Sequence, residues 1–494
     1  TVLKMQWSSL LCLLAATTSI TEGVMVCYYG SWAVYRNGNG KFDVEDIDPA
    51  ICTHIIFGFA GLDQNTFEIK VLDPYNELCE NWGKCGYDRF TALKNKNTNL
   101  KALLAIGGWN EGSDKYSTMA SDPSKRATFI ASTMTLLKAH NFDGLDMDWE
   151  YPTQRDGNPE DWANYIALLS ELNTALKAEN MLLTAAVSAG KSTIDAAYDV
   201  PGMSAHLDFI NLMAYDLHGA WETFTHHHAA LYAHPDDTGN ATFLNVDYAV
   251  NYWLDLGAPK SKLVLGMGTY GRCWTLNDGN VNGFYAPANN PGYGGPYTRS
   301  PGFLGYNEIC EDMLSNSWTV VHDPAMHEPY AYYVPHQKVW CGYDDPASVA
   351  LKASYAKEKG LVGAMVWSVE TDDFRGLCHD RPYELIKTIV ETFTGGDIPT
   401  PPTEPTTTMD PAHTTPTTSP RPTPPPSGNC QKPGYNVNPD DCRFYVQCVE
   451  NGDGTGYTEY PGECAEGTLF NPEGMMCDWE ESVCALGICP NNCS

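Results

Sequence analysis

Residues 142–152 read FDGLDMDWEYP, and this stretch decides the interpretation of the whole chain. Successive side chains of a β-strand point to opposite faces, so Asp146, Asp148 and Glu150 share one face and apolar residues share the other. In a strand of a barrel the apolar face packs against the outer helices, and the opposite face points inward. The stretch therefore predicts three carboxyl groups inside a barrel.

Three carboxyl groups in a confined interior are costly unless they share protons, because like charges at close range raise at least one pKa. Glu150 ends the run, at the carboxyl end of the strand, where substrates reach barrel enzymes. We therefore expect Glu150 to keep its proton near neutral pH and to be a candidate general acid. The other readings are a surface strand with hydrated acids and a calcium loop, but the EF-hand spacing of Gly and Glu is missing.

Eight short β-branched and aliphatic runs alternate with longer amphipathic stretches before residue 396. Helix signals separate them, such as Asp122 and Pro123 at the start of one Ala/Leu-rich stretch and Gly257 after another. This alternation predicts an α/β fold, a (β/α)8 TIM barrel over residues 23–396. The eight runs begin near residues 24, 54, 100, 142, 181, 207, 262 and 361.

The segment between the seventh and eighth runs, about 277–345, is too long for one βα unit and is rich in Gly, Pro, Tyr and Asn. It predicts an inserted α+β subdomain. Such a subdomain either walls one side of a cleft or only decorates the barrel, and the sequence favours neither.

Two other segments lie outside the barrel pattern. Residues 1–22 contain an apolar run too short to span a bilayer, followed by small residues, which predicts a signal peptide and a secreted, extracellular protein. Residues 397–428 are dominated by Pro and Thr, a composition that cannot pack a core, and they predict a semi-rigid linker. Residues 429–494 then form a small module in which disulfides replace a large core.

Charge and cysteine content restrict the class of protein. The chain has 30 Lys and Arg against 61 Asp and Glu, a formal net charge of -31. This balance argues against nucleic acid and membrane partners, which require a basic surface. Of the 17 cysteines, Cys12 falls in the signal segment, and the even number that remains fits disulfides in an oxidising compartment. No CxxC spacing suggests a zinc site, so no metal is expected.

The stretch DGLDMDWE resembles the DxxDxDxE signature of the family-18 chitinases, and it falls on the fourth predicted strand, where that family carries it. Further segments look like those of the family: YYGSWAVYR at 28–36, CTHIIFGFAG at 52–61, AIGGWN at 105–110, NLMAYDLHGAWE at 211–222, GTYGRCW at 268–274 and GAMVWSVETDDF at 363–374. The resemblance implies a chitinase that acts with retention and substrate assistance, without a cofactor.

The resemblance also implies roles for single residues. Glu150 would protonate the glycosidic oxygen, Asp148 would orient the substrate acetamide, and Asp146 would share a proton with Asp148. Tyr215 would hydrogen-bond the same acetamide. Trp367 would be the floor of the cleft. Other residues would bind the sugar around it: Tyr28, Phe59, Trp109, Met213, Asp216, Tyr270 and Arg272, with Trp32 or Trp221 extending the groove. Asp143 is expected to be structural.

The C-terminal cysteines resemble those of the peritrophin-A type chitin-binding domain. That resemblance implies the pairs Cys430–Cys448, Cys442–Cys484 and Cys464–Cys477, while Cys489 and Cys493 are left with no assigned pairing. In the barrel the resemblance to family 18 implies Cys27–Cys52 and Cys310–Cys378, and elimination leaves Cys79–Cys85 and Cys273–Cys341. The run His226–His228 is expected to be an exposed, incidental loop. Asn240-Ala241-Thr242 is an N-glycosylation sequon.

These observations lead to one main hypothesis and two alternatives. The main one is a secreted, monomeric, endo-acting chitinase whose partners are chitin and chito-oligosaccharides. A chitin-binding lectin of the same fold, without catalysis, is the second, although such relatives lack the terminal Glu of the motif. A structural protein of a chitinous matrix that uses only the C-terminal module is the third.

Overall fold

A computed structural model describes residues 23–335, 338–395, 434–437, 444–450, 457–464, 468–471 and 476–479. The predicted signal peptide, residues 1–22, and the predicted linker, residues 397–428, lie outside the described residues. The strands after residue 430 form a compact unit separate from the barrel, and each unit is described by itself.

Eight parallel strands of the described chain close into a barrel. The sheet order is β1-β15-β8-β7-β6-β5-β4-β2, with β1 paired to β2 to close the ring and β3 added antiparallel to β2. The predicted α/β class and TIM barrel are confirmed. The strands up to the insertion are β1 (Val24–Gly30), β2 (His54–Leu62), β3 (Ile69–Val71), β4 (Lys101–Gly107), β5 (Gly144–Asp148), β6 (Leu182–Ser188), β7 (Phe209–Met213) and β8 (Leu263–Gly268); the eighth barrel strand is β15 (Gly363–Trp367).

Helices surround the barrel and cover its outer face. Helix α4 (Pro123–Ala139) begins as the sequence predicts: Asp122 caps it by accepting from the backbone of Ser124, and Pro123 takes its first position. Four of the other helices have a side-chain cap of the same kind, from Asp73, Asp199, Asn245 and Asp345. The other helices are α1 (Pro74–Glu77), α2 (Gly86–Ala92), α3 (Asp114–Ala120), α5 (Asp161–Lys177), α6 (Lys191–Ala197), α7 (Val200–His206), α8 (Val246–Asp255), α9 (Tyr306–Ser315), α10 (Pro346–Lys359) and α11 (Glu384–Thr394).

The insertion between β8 and β15 is an antiparallel sheet that carries helix α9. Its strands are arranged β10-β9-β14-β13-β12, and β11 also pairs with β9. The insertion begins earlier than the expected residue 277, because its central strand β9 starts two residues after β8 ends. Its strands are β9 (Tyr270–Thr275), β10 (Asn290–Pro291), β11 (Phe303–Gly305), β12 (Thr319–Asp323), β13 (Glu328–Tyr333) and β14 (Val339–Gly342).

Four disulfides join parts of the barrel unit. Cys273 and Cys341 face each other on β9 and β14, and Cys310 of helix α9 bonds to Cys378 beyond β15. The other two bonds are Cys27–Cys52 and Cys79–Cys85. These are the same four pairs that resemblance and elimination assign. Cys273–Cys341 joins two strands of the insertion, and Cys310–Cys378 joins the insertion to the segment after β15.

The C-terminal unit contains two small antiparallel sheets. Strands β16 (Gly434–Val437), β17 (Phe444–Glu450) and β18 (Tyr457–Glu463) form one, and β19 (Thr468–Asn471) and β20 (Met476–Trp479) form the other. Cys464 is buried and disulfide-bonded. The other cysteines expected to pair in this unit lie outside the described side chains.

Within the part of the chain described, no helix combines the length and the apolar character needed to cross a bilayer.

Candidate active site

Strand β5 places its acids inside the barrel, as its alternation predicts. Leu145 and Met147 are fully buried in the core between barrel and helices, on the face opposite the acids. Asp146 and Asp148 are buried in the barrel interior, and Glu150 follows the strand at its carboxyl end, where it is half-buried. Three carboxyl groups therefore lie in one column that ends at an accessible acid.

Asp146 is the deepest of the three, and it is held by donors from three other strands. The hydroxyl of Tyr28 on β1 donates to its Oδ2 at 2.7 Å, and the hydroxyl of Thr184 on β6 donates to its Oδ1 at 2.5 Å. The amide of Asn211 on β7 donates to Oδ1 at 3.2 Å. These donors favour the ionised form, so they oppose the effect of burial on this carboxyl group.

The pKa values of all three acids are raised, with burial as the first cause. Burial raises the pKa of Asp146 to about 6, although its three donors oppose the shift. Burial, then the charges of Glu150 and Asp146, raise the pKa of Asp148 well above its usual range. Burial raises the pKa of Glu150 to about 7, against the lowering effects of Tyr151 and Arg155. Near neutral pH protons therefore remain bound to this column of carboxyl groups.

One oxygen of Asp148 has no hydrogen-bond partner among the described residues. This atom, Oδ1, is fully buried, and a buried polar oxygen without a donor is unusual in a folded protein. Its position between Asp146 and Glu150 in the column makes it a ready acceptor for an N–H group that enters the barrel mouth.

Tyr215 lies just beyond β7 and faces the same acids. Its hydroxyl has a weak contact, 3.7 Å, with the sulfur of Met365 on β15. Burial, then the charge of Asp148 and of the other acids around it, raise the pKa of Tyr215 well above its usual value. The hydroxyl is therefore neutral, close to the column, and free to donate to a group bound there.

Asp216 forms a bidentate ion pair with Arg272 at the barrel mouth. The guanidinium of Arg272 donates from Nε to Oδ1 at 2.7 Å and from Nη2 to Oδ2 at 2.5 Å, and the Tyr270 hydroxyl donates to Oδ1 at 2.6 Å. Burial would raise the pKa of Asp216, but Arg272 and then His228 lower it well below its usual range. Asp216 is thus a permanent anion beside acids that hold protons.

An aromatic floor closes the barrel interior. The ring of Trp367, at the end of β15, stacks on Phe59 with centroids 5.7 Å apart and lies 5.5 Å from Tyr28 and 6.1 Å from Trp32. Met213 ends β7 and packs with the same interior residues. A ring face of this kind suits the apolar face of a sugar.

Exposed aromatic rings flank the mouth on two sides. Trp109, which is 60 % exposed, lies under the guanidinium of Arg155 at 3.7 Å from the ring centroid. Arg155 also donates to the backbone carbonyl of Glu150 at 3.0 Å. On the other side Arg272 lies over Trp221 at 5.4 Å. Trp221, one of the two rings predicted to extend the groove, thus has a cation beside it.

These positions correct one expectation from the sequence, and they bury two residues that were predicted to bind the sugar. Tyr28 and Tyr270, which were predicted to bind the sugar, are each only 1 % exposed, and their hydroxyls are turned onto Asp146 and Asp216. The run His226–His228 was expected to be exposed, but it is fully buried.

The three histidines are buried because each has a polar partner within reach. His226 pairs with Asp237 at 3.0 Å, His227 contacts the carbonyl of Tyr343 at 2.8 Å, and His228 contacts the carbonyl of Tyr270 at 3.2 Å. Asp237 lies in the same loop as the histidines, whereas Tyr270 and Tyr343 belong to the insertion, so His227 and His228 fasten this loop of the barrel to the insertion.

Several residues of the site escape the sequence reasoning. Thr184 and Asn211 hold Asp146, Arg155 touches Glu150, and His228 contacts Asp216. A usable signal exists for two of them: Thr184 and Asn211 are polar residues inside otherwise apolar predicted strands, which marks them as inward-facing. Arg155 and His228 lie in loops, where no periodicity indicates a direction.

Among the described residues, one group has the proximity that a metal site needs: Cys310, Asp373 and Cys378. The two cysteines are bonded to each other, so neither offers a thiolate. The group does not fit a metal ion.

Comparison with known proteins gives matches over both units. The family described as Glycosyl hydrolases family 18 matches residues 24–372, and the Chitin binding Peritrophin-A domain matches residues 430–484. The chain is 43 % identical to Probable chitinase 2 of Drosophila melanogaster over 74 % of the chain and 75 % of that protein. It is 37 % identical to Chitotriosidase-1 of Mus musculus over 97 % of each.

Solved structures agree with these matches. The crystal structure of an Ostrinia furnacalis Group IV chitinase in complex with allosamidin superimposes with a TM-score of 0.72 and 42 % sequence identity. The match covers 76 % of this chain and 100 % of that structure.

Proposed function

The chain belongs to glycosyl hydrolase family 18 and carries a peritrophin-A domain, and from this premise we propose that it is an endo-acting chitinase. Its substrate is chitin, a polymer of β-1,4-linked N-acetylglucosamine, or chito-oligosaccharides. The observation that carries the proposal is the acid column of β5, which ends in Glu150 with its pKa near 7. A protonated carboxylic acid at the barrel mouth is what cleavage of a glycosidic bond requires.

Glu150 acts as general acid in the first step. Its proton moves to the glycosidic oxygen as the bond from that oxygen to the anomeric carbon breaks. The carbonyl oxygen of the substrate's own N-acetyl group forms a bond to the same carbon, which gives an oxazolinium ion. Glu150, now ionised, takes a proton from water in the second step, and the water oxygen opens the ring with overall retention.

Asp148 and Tyr215 position and stabilise the acetamide. The unpaired Oδ1 of Asp148 accepts the acetamide N–H, which aims the carbonyl oxygen at the anomeric carbon and stabilises the positive charge of the intermediate. Asp146 lowers the cost of an ionised Asp148 by sharing its proton. The Tyr215 hydroxyl donates to the acetamide oxygen, and its lack of a strong protein partner favours this role.

The remaining predicted residues bind the sugar chain. Trp367 and Phe59 stack under the sugar at the cleaved bond. Trp109 and Met213 contact the neighbouring sugars. Asp216 and Arg272 form hydrogen bonds with ring hydroxyls. Tyr28 and Tyr270 act beneath the sugar, where their hydroxyls hold Asp146 and Asp216. Their burial supports this change of role.

The proposed organisation around the barrel follows from the sequence. Residues 1–22 are a signal peptide that is removed on secretion, residues 397–428 are a linker, and residues 429–494 are the chitin-binding module. The module holds the barrel on insoluble polymer and raises the local concentration of cleavable bonds. Asn240 is exposed, which makes N-glycosylation at its sequon possible in a secreted protein that acts as a monomer.

The decisive experiment compares the full chain with Glu150→Gln on colloidal chitin. We expect the wild type to release soluble oligosaccharides, and the variant to lose about 100-fold or more of this activity, since a positioned acid contributes about 100- to 10,000-fold. Binding of both proteins to chitin beads is measured in parallel. Binding without release by the wild type would support a lectin, and equal release by both proteins would contradict the mechanism.

A further inference from the structure

Glu370 is a buried acid that the proposed reaction does not use. It follows Trp367, the floor of the cleft, in a short 3-10 turn, Val369–Thr371, and it is excluded from solvent. A buried carboxylate is stable only where hydrogen-bond donors surround it. The donors around Glu370 therefore show which segments this side chain holds together.

Both carboxylate oxygens of Glu370 have donors, and these come from separate segments. The backbone N–H of Gly30 donates to Oε2 at 3.1 Å, and the hydroxyl of Ser368 donates to Oε1 at 2.6 Å. Arg36 donates from Nη1 to the backbone carbonyl of Glu370 at 3.1 Å, and its Nη2 lies 3.6 Å from Oε1. One residue thus joins the end of β1, a nearby cation and the residue that follows the floor tryptophan.

Gly30 and Arg36 are the two caps of the short 3-10 helix that carries Trp32. The helix spans Ser31–Tyr35, and no side chain caps its first turn. A helix of this length has little stability of its own, because forming the first turn is unfavourable. Contacts from outside therefore determine its position, and Glu370 supplies such contacts at both ends.

Trp32 lies beside the floor of the cleft and has little room to move. Its ring centroid is 6.1 Å from that of Trp367 and 6.2 Å from that of Phe59. A Cβ atom at Gly30 would lie 2.7 Å from Oε1 of Glu370 and 2.7 Å from the indole of Trp32. Because packing is this close, a displacement of the carboxylate is transmitted to the indole.

Trp367 is held from the other side, by the residue that follows β8. Thr269 donates its backbone N–H to the carbonyl of Trp367 at 3.0 Å, and its hydroxyl accepts from the backbone N–H of Ser368 at 2.9 Å. These bonds do not depend on Glu370. Loss of the Glu370 contacts should therefore displace Trp32 more than Trp367.

We infer that Glu370 is a positioning residue for sugar binding, which fixes Trp32 beside Trp367. The inference rests on the proposed function, because the spacing of the two rings matters only if the cleft binds sugar. Glu370 has no contact with the substrate and acts through Trp32. It controls the affinity for the sugar chain and leaves proton transfer by Glu150 intact.

The test replaces Glu370 by Asp and by Gln in the full chain. Asp keeps the charge but is too short to reach both Gly30 and Ser368, and Gln places an NH2 group among donors. On tetra-N-acetylchitotetraose we expect KM to rise about three- to tenfold, the loss typical of an aromatic contact, with kcat within about twofold. The pH profile of kcat should not move.

Two further measurements show whether Glu370 acts through Trp32. Added to Glu150→Gln, which allows binding to be measured without turnover, Glu370→Asp should weaken the Kd for the tetrasaccharide about three- to tenfold. Added to Trp32→Ala, it should change KM by less than about twofold, because residues that act through one contact are not additive. Full additivity with Trp32→Ala would overturn the inference.

Asp372→Asn is the matched control for a purely structural acid. Asp372 is also fully buried and lies just after the same turn, but it accepts from the backbone N–H groups of Leu385 and Ile386, at 3.3 and 3.0 Å, in helix α11. We expect this variant to have a lower thermal midpoint and an unchanged KM. The same behaviour in the Glu370 variants would make Glu370 structural and overturn the inference.

The remaining outcomes are also decisive. If the Glu370 variants do not fold, Ser368→Ala tests the same contact, since it removes one donor and keeps the carboxylate. Its KM should rise about two- to threefold, and an unchanged KM would overturn the inference. Failure of the wild type to bind or cleave the tetrasaccharide would overturn the proposed function itself.

Discussion

The hydroxyl of Tyr28 lies 2.7 Å from the carboxylate of Asp146, although 118 residues separate them in the chain. The contact crosses the barrel interior from β1 to β5. It has a chemical consequence, because a donor to the ionised carboxylate opposes the effect of burial and lowers the pKa of Asp146.

Replacement of Tyr28 by Phe should therefore raise the pKa of Asp146. A carboxyl group that stays protonated to higher pH cannot accept the proton of Asp148, so the acidic limb of the pH profile of kcat/KM should move to higher pH. Loss of a hydrogen bond to a charged group costs about 1.5 kcal/mol or more, so kcat/KM near pH 6 should fall about tenfold. Tyr29→Phe is the control, because that ring faces the opposite side of β1; unchanged profiles for Tyr28→Phe would contradict the prediction.

The basic limb of the same profile should report Glu150. The group must be protonated to act as an acid, so activity should fall as the pH rises through its pKa of about 7. The positive charge of Arg155 lowers this pKa, so Arg155→Ala should move the basic limb to higher pH. Arg155→Lys keeps a charge and should move it less. A shift in the opposite direction would show that Arg155 does not act on Glu150.

Replacement of Tyr215 by Phe should separate catalysis from stability. The hydroxyl has a weak contact with the sulfur of Met365, so its removal should change the thermal midpoint by less than about 2 °C. The value of kcat should fall about tenfold or more, because the acetamide loses a donor in the transition state. Kinetics on a soluble oligosaccharide and calorimetry give the two readouts. A large loss of stability would mean that the hydroxyl has a structural role.

A buried ion cluster between the insertion and helix α10 should control stability. The ammonium of Lys352 lies 2.7 Å from Asp344 and 3.0 Å from Glu328, and all three side chains are buried. Lys352→Met would leave two acids without a cation and should lower the free energy of unfolding by about 3–5 kcal/mol.

Lys359→Met provides the matched control on the same helix. Its partner Asp247 is 3.3 Å away, both side chains are about one-third exposed, and the expected loss is below about 1 kcal/mol. Denaturant unfolding of the full-length proteins measures both. Similar losses for the two variants would contradict the importance of the buried cluster.

Much of the site is predictable where the relevant pattern is local. The alternation of Asp146, Asp148 and Glu150 with apolar residues is a property of one strand, and it places three acids on one face in any fold that keeps the strand. The helix caps, such as Asp122 before Pro123, are equally local. Such features depend on residues a few positions apart, whose geometry the backbone dictates.

Other features depend on contacts between distant parts of the chain, and there the sequence reasoning was wrong or incomplete. The histidines at 226–228 resemble a polar loop, but Asp237, Tyr343 and Tyr270 supply partners that allow them to be buried. Likewise, nothing local indicates that Thr184 and Asn211 donate to the same oxygen of Asp146.

By itself, the sequence determined the order of strands and helices, the inward direction of the acids and the segment that leaves the barrel after β8, because periodicity and turn residues act over a few positions. Only the tertiary structure decided which acid is held by donors and which tyrosines are buried. The physical reason is that pKa values and burial are set by groups that lie close in space, and closing a barrel brings together residues more than a hundred positions apart.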